Sequence, residues 1–460
     1  MSVDYANLDR SKPPVVMKSK DVKFPAYFED KLHNGIKVFV IEDDKLPLIS
    51  VKFVIKTGTY DDLAFGEDSS GLASLTSDLL VKGTDKMNAV EVAEIIDFHG
   101  ASISGGCEYD ATYLSLTSLK KYFTGLFDIV SDLLMNPAFL DEEVEREKQQ
   151  IANSLLSCLD EGSFLAERGF KKNVYENSPY KLNIEGKISS VNIFQRKNIK
   201  EFFDKFYLPG NLIIAIVGDI KSSDAISLIK SKFDGWKKKS VYDRTIYKKD
   251  SLTKTKVFAI EKKGAVQSEV LLGHLGFDRK NPDYFPVVAM NTLLGGYFTS
   301  RINKNLREIN GYTYGARSYF NFRKHSGDFC VETSVENSLT YNAIKEIISE
   351  LDKIKNEYVT VEELESVKNY LTGSYPLQLE TPNAIANKII NLELYGIEKD
   401  FYDTFISKIN AVTLEDIRNV SEKYLHPGNL VISIAGKVEI IKETMEQIAQ
   451  VDVLNNIEEL

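Results

Sequence analysis

Cysteine, tryptophan and histidine are all scarce in this chain, with three, one and five residues among 460. Cys107, Cys158 and Cys330 lie far apart and form neither a zinc nor a redox spacing. So sparse and odd a set excludes a disulfide-stapled scaffold, and it fits either a reducing compartment or a fold that needs no staples. No stretch approaches the ~18 consecutive apolar residues of a membrane helix. The opening MSVDYANLDRSKPPVVMKSK lacks the apolar core of a secretory signal. These two absences read as a cytoplasmic chain, or a periplasmic or organellar one if a leader has been removed. Positive charge is also in deficit, since 57 Lys and Arg against 67 Asp and Glu leave a net charge of −10. That balance argues against nucleic acid as a partner, because nucleic-acid domains carry a basic excess or stripe. The dense basic runs, Lys237 to Lys239 and Lys248 with Lys249, fall in one polar stretch that reads as a solvated linker.

What is present is the composition of a folded protein, 43% hydrophobic and 27% charged, in a chain too long for one ordinary core. The chain is also repetitive. KVFVIE at Lys37 returns as KVFAIE at Lys256, 219 positions later. DEEVEREK at Asp141 has a weaker echo in VEELESVK at Val361, 220 positions later. PGNLIIAIVGDI at Pro209 returns as PGNLVISIAGKV at Pro427, 218 positions later. Three matches in one order at nearly constant spacing imply an internal duplication.

Each copy opens on alternating or β-branched strands, residues 35–41 and 49–56 in the first, and then turns helical. Residues 141–156 start on acidic residues suited to a helix N-terminus, residues 191–206 read as one amphipathic helix, and a Pro-Gly-Asn turn feeds a last apolar strand. Strands and helices come in clusters and not in strict alternation, which predicts an α+β fold with largely antiparallel sheets in two duplicated halves. The expected division is residues 1–236, a linker over 237–256 and a second half over 257–460.

Direct chemistry is hard to find. The histidines His33, His99, His274, His325 and His426 stand alone, with no two at helical ligand spacing. There is no G-x-S-x-G elbow, Walker lysine pattern or G-x-G-x-x-G. Gly295-Gly296 before a predicted helix is either a structural turn or a turn that flanks substrate. The stretch GLASLTSDLLVKGT, residues 71–84, predicts a helix with Leu72, Leu75 and Leu79 on its core face and Gly83 as its stop. Its other face carries Ser74, Ser77 and Asp78. Neutral hydroxyls are poor zinc ligands, so that face is not a set of three proper donors.

The frame G-L-A, then L-L-x-K-G-T, over residues 71–84 resembles the active-site helix of the insulinase/pitrilysin metallopeptidases, in the branch that includes the mitochondrial processing peptidase and its bacterial relatives. HNGIKVFVIED, GTYDD, VEREK, YLPGNLIIAIVGD and LLGGYFTSRINKNLREINGYTYGA extend the resemblance over almost the whole chain. It implies duplicated α+β halves, which agrees with the repeat. Active members of this inverzincin family carry H-x-x-E-H, two zinc ligands and a general base, with a ligand glutamate roughly 75 residues on. Laid on this chain, those positions are Ser74, Ser77, Asp78 and, at or beside it, Ser154.

The resemblance therefore implies a zinc-less member that alone binds no catalytic metal and cleaves no peptide. It also implies that Arg307 and Tyr314 match the family's substrate-contacting pair, with Gly295 and Gly296 as a flanking turn. In split members a chain of this kind pairs with a homologous chain that keeps the zinc site. The expected function is thus the non-catalytic, peptide-binding subunit of a heterodimeric zinc peptidase, with zinc in the partner and extended peptides as substrates. A scaffold or peptide-binding protein without proteolytic role is the alternative.

Overall fold

The computed structural model describes residues 22–247 and 252–455, so Lys248 and Lys249 lie outside the described residues. The described strands form two mixed sheets of six. The first contains β1 (Phe28–Lys31), β2 (Lys37–Glu42), β3 (Leu48–Ile55), β4 (Ser102–Cys107), β5 (Thr112–Leu119) and β6 (Leu212–Gly218), in the order β1-β2-β6-β3-β5-β4. The second contains β7 (Lys256–Glu261), β8 (Gln267–Leu275), β9 (Ala316–Phe322), β10 (Gly327–Glu336), β11 (Val431–Gly436) and β12 (Val451–Val453), in the order β12-β7-β11-β8-β10-β9. Pairing is antiparallel except where β2 meets β6 and where β7 meets β11 and β12.

The duplication extends to the register. Val54 faces Ile213 in the first sheet and Gly273 faces Val431 in the second, 219 and 218 positions on. The α+β fold and the two repeated halves expected from the sequence are thus observed.

Each sheet buries one face against helices of its own half. Leu75, Phe123, Phe127, Phe202 and Phe233 pack there with β3 and β5 in the first half, and Met290, Leu294, Ile344 and Ile347 pack with β8 and β10 in the second. The opposite faces are exchanged. Helix Gly162–Val174 of the first half lies on β8 and β11, and helix Pro382–Tyr395, which starts 220 positions later, lies on β3 and β6. Leu165 and Phe170 meet Ile260 and Leu271 in one crossing, and Ile389 and Ile390 meet Phe39 and Ile213 in the other. Each such buried aliphatic or aromatic side chain contributes about 1.5–3 kcal/mol, so neither half is complete without its copy. Gly169 permits the close approach, since a Cβ there would lie 2.5 Å from Ser433 Oγ.

Two local expectations need correction. Residues 191–206 do not form one helix. Ile188–Ile193 and Arg196–Phe206 are separate, because Phe194 turns extended and Gln195 becomes a new N-cap whose amide is held by Asn198. The polar stretch between the halves is not wholly solvated either. Lys237 to Lys239 are exposed, but the Arg244 side chain is buried between Asp61 and Asp110.

Candidate functional site

The helix at the degenerate zinc-motif positions spans Leu72–Leu79 and ends before Gly83, through a tight turn at Leu80. Gly83 does take a left-handed φ of 111°, and the chain turns there. Its N-terminus is held by Asp62 of the Gly58-Thr59-Tyr60-Asp61-Asp62 run, whose carboxylate accepts from Gly71 N–H and Ala73 N–H, both at 2.9 Å. Burial pushes the Asp62 carboxyl well up, and the two amides oppose that by holding its charged form.

The expected polar face is enclosed. Ser74 and Ser77 are as buried as the leucines opposite them, and Ser77 Oγ has no hydrogen-bond partner. Asp78 is half-buried; burial pushes it up to about 6, nearby Glu147 adds to the rise and Lys82 works against it. Glu147, in the Glu145-Arg146-Glu147 run, is itself buried and lies 2.7 Å from Lys82 Nζ. Ser154, by contrast, is exposed on the Asp141–Cys158 helix that packs on this one.

The family to which the motif points holds Zn²⁺ with imidazoles and carboxylates around an open coordination position. These residues do not fit that ion. Three of the four positions are neutral hydroxyls, burial favours the neutral form of the one carboxylate, and the Ser77 hydroxyl is buried without a hydrogen-bond partner. Among the described residues no group of three or more His, Cys, Asp and Glu side chains has an arrangement that could hold a metal ion.

The second region carries Arg307 and Tyr314. Between β8 and β9 the chain makes two π-helical segments, Thr292–Gly296 and Lys304–Ile309. Such segments are well under 1% of residues in globular proteins and concentrate at functional sites. The second is pinned by Asn305, whose amide donates to Glu346 and to Glu350 at 3.0 and 2.9 Å. Arg307, within it, is half-buried with its guanidinium 4.5 Å above the Phe298 ring. Tyr314 follows a left-handed turn at Gly311 and stands 93% exposed. Thr313 and Thr333 anchor the loop around it through a hydroxyl contact of 3.1 Å.

Phe298, Tyr314, Arg317 and Tyr370 line a recess of about 450 Å³ whose walls all come from the second half. Phe298 thus belongs both to the Arg307 stack and to the recess, and it links the two expected residues. Gly296 opens onto that recess, whereas Gly295 is buried against β9, where a Cβ would lie 2.4 Å from Ser318 Oγ. Close packing accounts for the glycine at position 295.

Between the halves lies a larger cavity of about 750 Å³, lined by Ser104 to Gly106 of β4, by Tyr319, Asn321 and Phe322 of β9, and by Lys52, Glu108, Lys171 and Arg323. β4 and β9 are the terminal strands of their sheets, so each has an edge without a strand partner.

Two features here escape sequence reasoning. His274 and His426 stand 152 positions apart, yet their rings lie 4.9 Å apart and His426 N–H donates to His274 Nε2 at 3.2 Å. Nor does any propensity announce a π-helix. The only sequence signal was the family frame itself.

Comparison with known proteins agrees with this geometry. Residues 37–187 match the family model for insulinase (peptidase family M16), and residues 194–371 match that for the peptidase M16 inactive domain. The chain is 24% identical over 409 residues to a protein of Helicobacter pylori named non-peptidase homolog YmxG, covering 87% of this chain and 92% of that one. It is 21% identical over 392 residues to the uncharacterized zinc protease YmxG of Bacillus subtilis, covering 85% and 93%. The solved peptidase M16 inactive domain from Pseudomonas fluorescens superposes with a TM-score of 0.82 at 25% identity, over 89% of this chain and 98% of that one. A protease from Helicobacter pylori has the same TM-score of 0.82 at 19% identity, over 90% and 100%, a likeness of fold. The chain therefore belongs to the insulinase (peptidase M16) family.

Proposed function

We propose that this chain is the zinc-less subunit of a heterodimeric peptidase, one that binds extended peptide and presents Arg307 and Tyr314 to it. A homologous partner would carry H-x-x-E-H and the zinc. The observation that carries this reading is the 93% exposure of Tyr314 at a recess whose wall residue Phe298 stacks under the half-buried Arg307. A guanidinium fork suits a peptide carbonyl or carboxylate, and a tyrosine hydroxyl can donate to a developing oxyanion. The free edges of β4 and β9 beside the 750 Å³ cavity support binding of an extended chain, whose backbone can add to a sheet edge. The enclosed serines of the Leu72–Leu79 helix support leaving the hydrolytic water to a partner.

Reconstitution tests the reading. This chain is mixed with a co-occurring H-x-x-E-H homologue, and cleavage of an unstructured peptide is followed. Activity should require both chains and fall about 10²-fold with Arg307→Ala and about tenfold with Tyr314→Phe, at unchanged stability of this chain. A pair whose activity ignores both substitutions would sink the assigned role. Stoichiometric zinc in this chain alone, with chelator-sensitive hydrolysis, would overturn the division of labour.

A name such as non-peptidase homolog, borne by the Helicobacter pylori relative, favours a second reading in which the fold binds peptide or serves as scaffold without proteolysis. Peptide binding by this chain with no cleavage in any pairing is its expected signature.

A further inference from the structure

Outside the regions described so far, one pocket combines positive charge with a shortage of partners. It has a volume of about 300 Å³ and lies where β3 ends, β6 begins, the inter-half segment passes and β9 turns into β10. Lys56, Arg244, Lys324 and His325 line it against the single carboxylate of Asp61, under a cover of Tyr242 and Ile246.

The charges do not balance there. Arg244 is satisfied, with its guanidinium bidentate on Asp61 at 2.6 and 2.9 Å and a further contact of 3.3 Å to Asp110. Asp110 is shared further, with Tyr180 O–H at 2.9 Å and Lys324 N–H at 3.0 Å. The other carboxylate that Lys56 feels is Glu393, already taken by Lys37 at 2.6 Å. Lys56 and Lys324 therefore make no ion pair among the described residues. His325 Nε2 is buried with no hydrogen-bond partner. Burial pushes both lysines and His325 down, and Arg244 repels the charged form of each. In a chain of net charge −10, a half-buried pocket has been left short of negative charge.

We propose that this pocket binds a small oxyanion, a carboxylate or a phosphate, which accepts hydrogen bonds from the Lys56 and Lys324 ammonium groups, with His325 in the pocket wall. The site is independent of the peptide-binding reading, because none of its residues lines the Phe298–Tyr314 recess. Bound oxyanion supplies the missing charge and ties the end of β3, through Lys56, to the β9–β10 turn, through Lys324.

The full chain is unfolded thermally while sodium phosphate is titrated against sodium chloride at matched ionic strength. A second arm uses a tripeptide with a free α-carboxylate and the same tripeptide as its C-terminal amide. The expected result is a midpoint that rises with phosphate beyond the chloride control. Lys56→Met and Lys324→Met should each weaken the apparent affinity about tenfold, the loss of one charged hydrogen bond. Lys324→Arg should retain binding, which separates a lost contact from a damaged fold. A shift with the free-carboxylate peptide and none with its amide assigns a chain terminus as the natural ligand, and a shift with phosphate alone assigns inorganic phosphate or a phosphoryl group. No ion-specific shift in either arm, or the same shift in both methionine variants, overturns the proposal.

Discussion

The connection from β3 to β4 and its counterpart from β8 to β9 occupy the same place in two copies of one fold, yet the segments within them that carry the expected site residues differ. From β3 to β4 the site segment is Leu72–Leu79, a short helix with Leu72, Leu75 and Leu79 at 0–1% exposure and its serines sealed in, ahead of the helix Ala89–Phe98, where Val90 and Phe98 are 63% and 86% exposed. From β8 to β9 the chain forms two π-helical segments and leaves Phe298, Ile309 and Tyr314 63%, 70% and 93% exposed. A duplicated domain can retain its frame through packing alone, while irregular backbone is retained only where something else requires it. The difference separates a segment enclosed by packing from one whose aromatic side chains reach solvent.

The contrast can be broken at its strongest point by Leu75→Ala. That substitution should cost about 2–5 kcal/mol in denaturant unfolding, because the residue lies at 0% exposure in the first core. A smaller loss would mean that the helix is not packed as described.

A second expected effect belongs to one half alone. His274 and Ile55 occupy equivalent register positions, flanking the Gly273–Val431 and Val54–Ile213 pairs. Only the second sheet therefore carries a buried imidazole there. Its Nε2 accepts from His426 N–H, and its other nitrogen contacts Leu275 O at 2.9 Å, so the neutral ring fits and the charged ring does not. Burial pushes His274 down to about 4 from an ordinary 6.5. A depressed base stabilises the fold above its unfolded value, so stability is full above pH 6.5 and falls as pH drops toward 4. The loss should approach about 3 kcal/mol at the acid end. Denaturation midpoints from pH 7 to pH 4, flattened by His274→Gln, are the check.

Next in size is Ser77→Glu, which restores the carboxylate that the family frame has at this position. In an open site it would be tolerated. In the enclosed one it should cost about 1–3 kcal/mol from overpacking, before any charge effect. Gly295→Ala should cost a similar amount where its Cβ meets Ser318 at 2.4 Å, and Gly296→Ala, whose Cβ would meet Asn291 O at 3.1 Å, should cost less than that. At the smallest end, Tyr314→Ala should leave stability within about 0.5 kcal/mol of the parent. That result, set beside lost activity in a reconstituted pair, would sharpen the contrast most.

Much of the architecture was legible in the chain. The KVFVIE/KVFAIE and PGNL repeats located β2 with β7 and β6 with β11, since apolar strands that cross a core have little freedom to change. The Leu72, Leu75 and Leu79 spacing predicted the core face of the Leu72–Leu79 helix. Pattern reasoning failed at Phe194, where one residue in extended backbone splits an amphipathic run, and at Arg244, where a polar segment hides a charge. In both places a contact from a distant part of the chain, or a cap at the next residue, outweighs local propensity.

The sites divide along the same line. The replacement of every zinc-motif position was visible in residues 71–84 and at Ser154, because ligand chemistry depends on residue identity. That Ser77 is sealed, that Phe298 joins Arg307 to the recess of Tyr314, and that Lys56 and Lys324 share one pocket depend on residues up to 268 positions apart. The first two arise from packing within one half, and the last only where the two halves meet. The sequence by itself determined the duplication and the family, because repeated apolar strands and motif spacing are local, and the tertiary structure alone decided which polar faces are buried and which stay exposed.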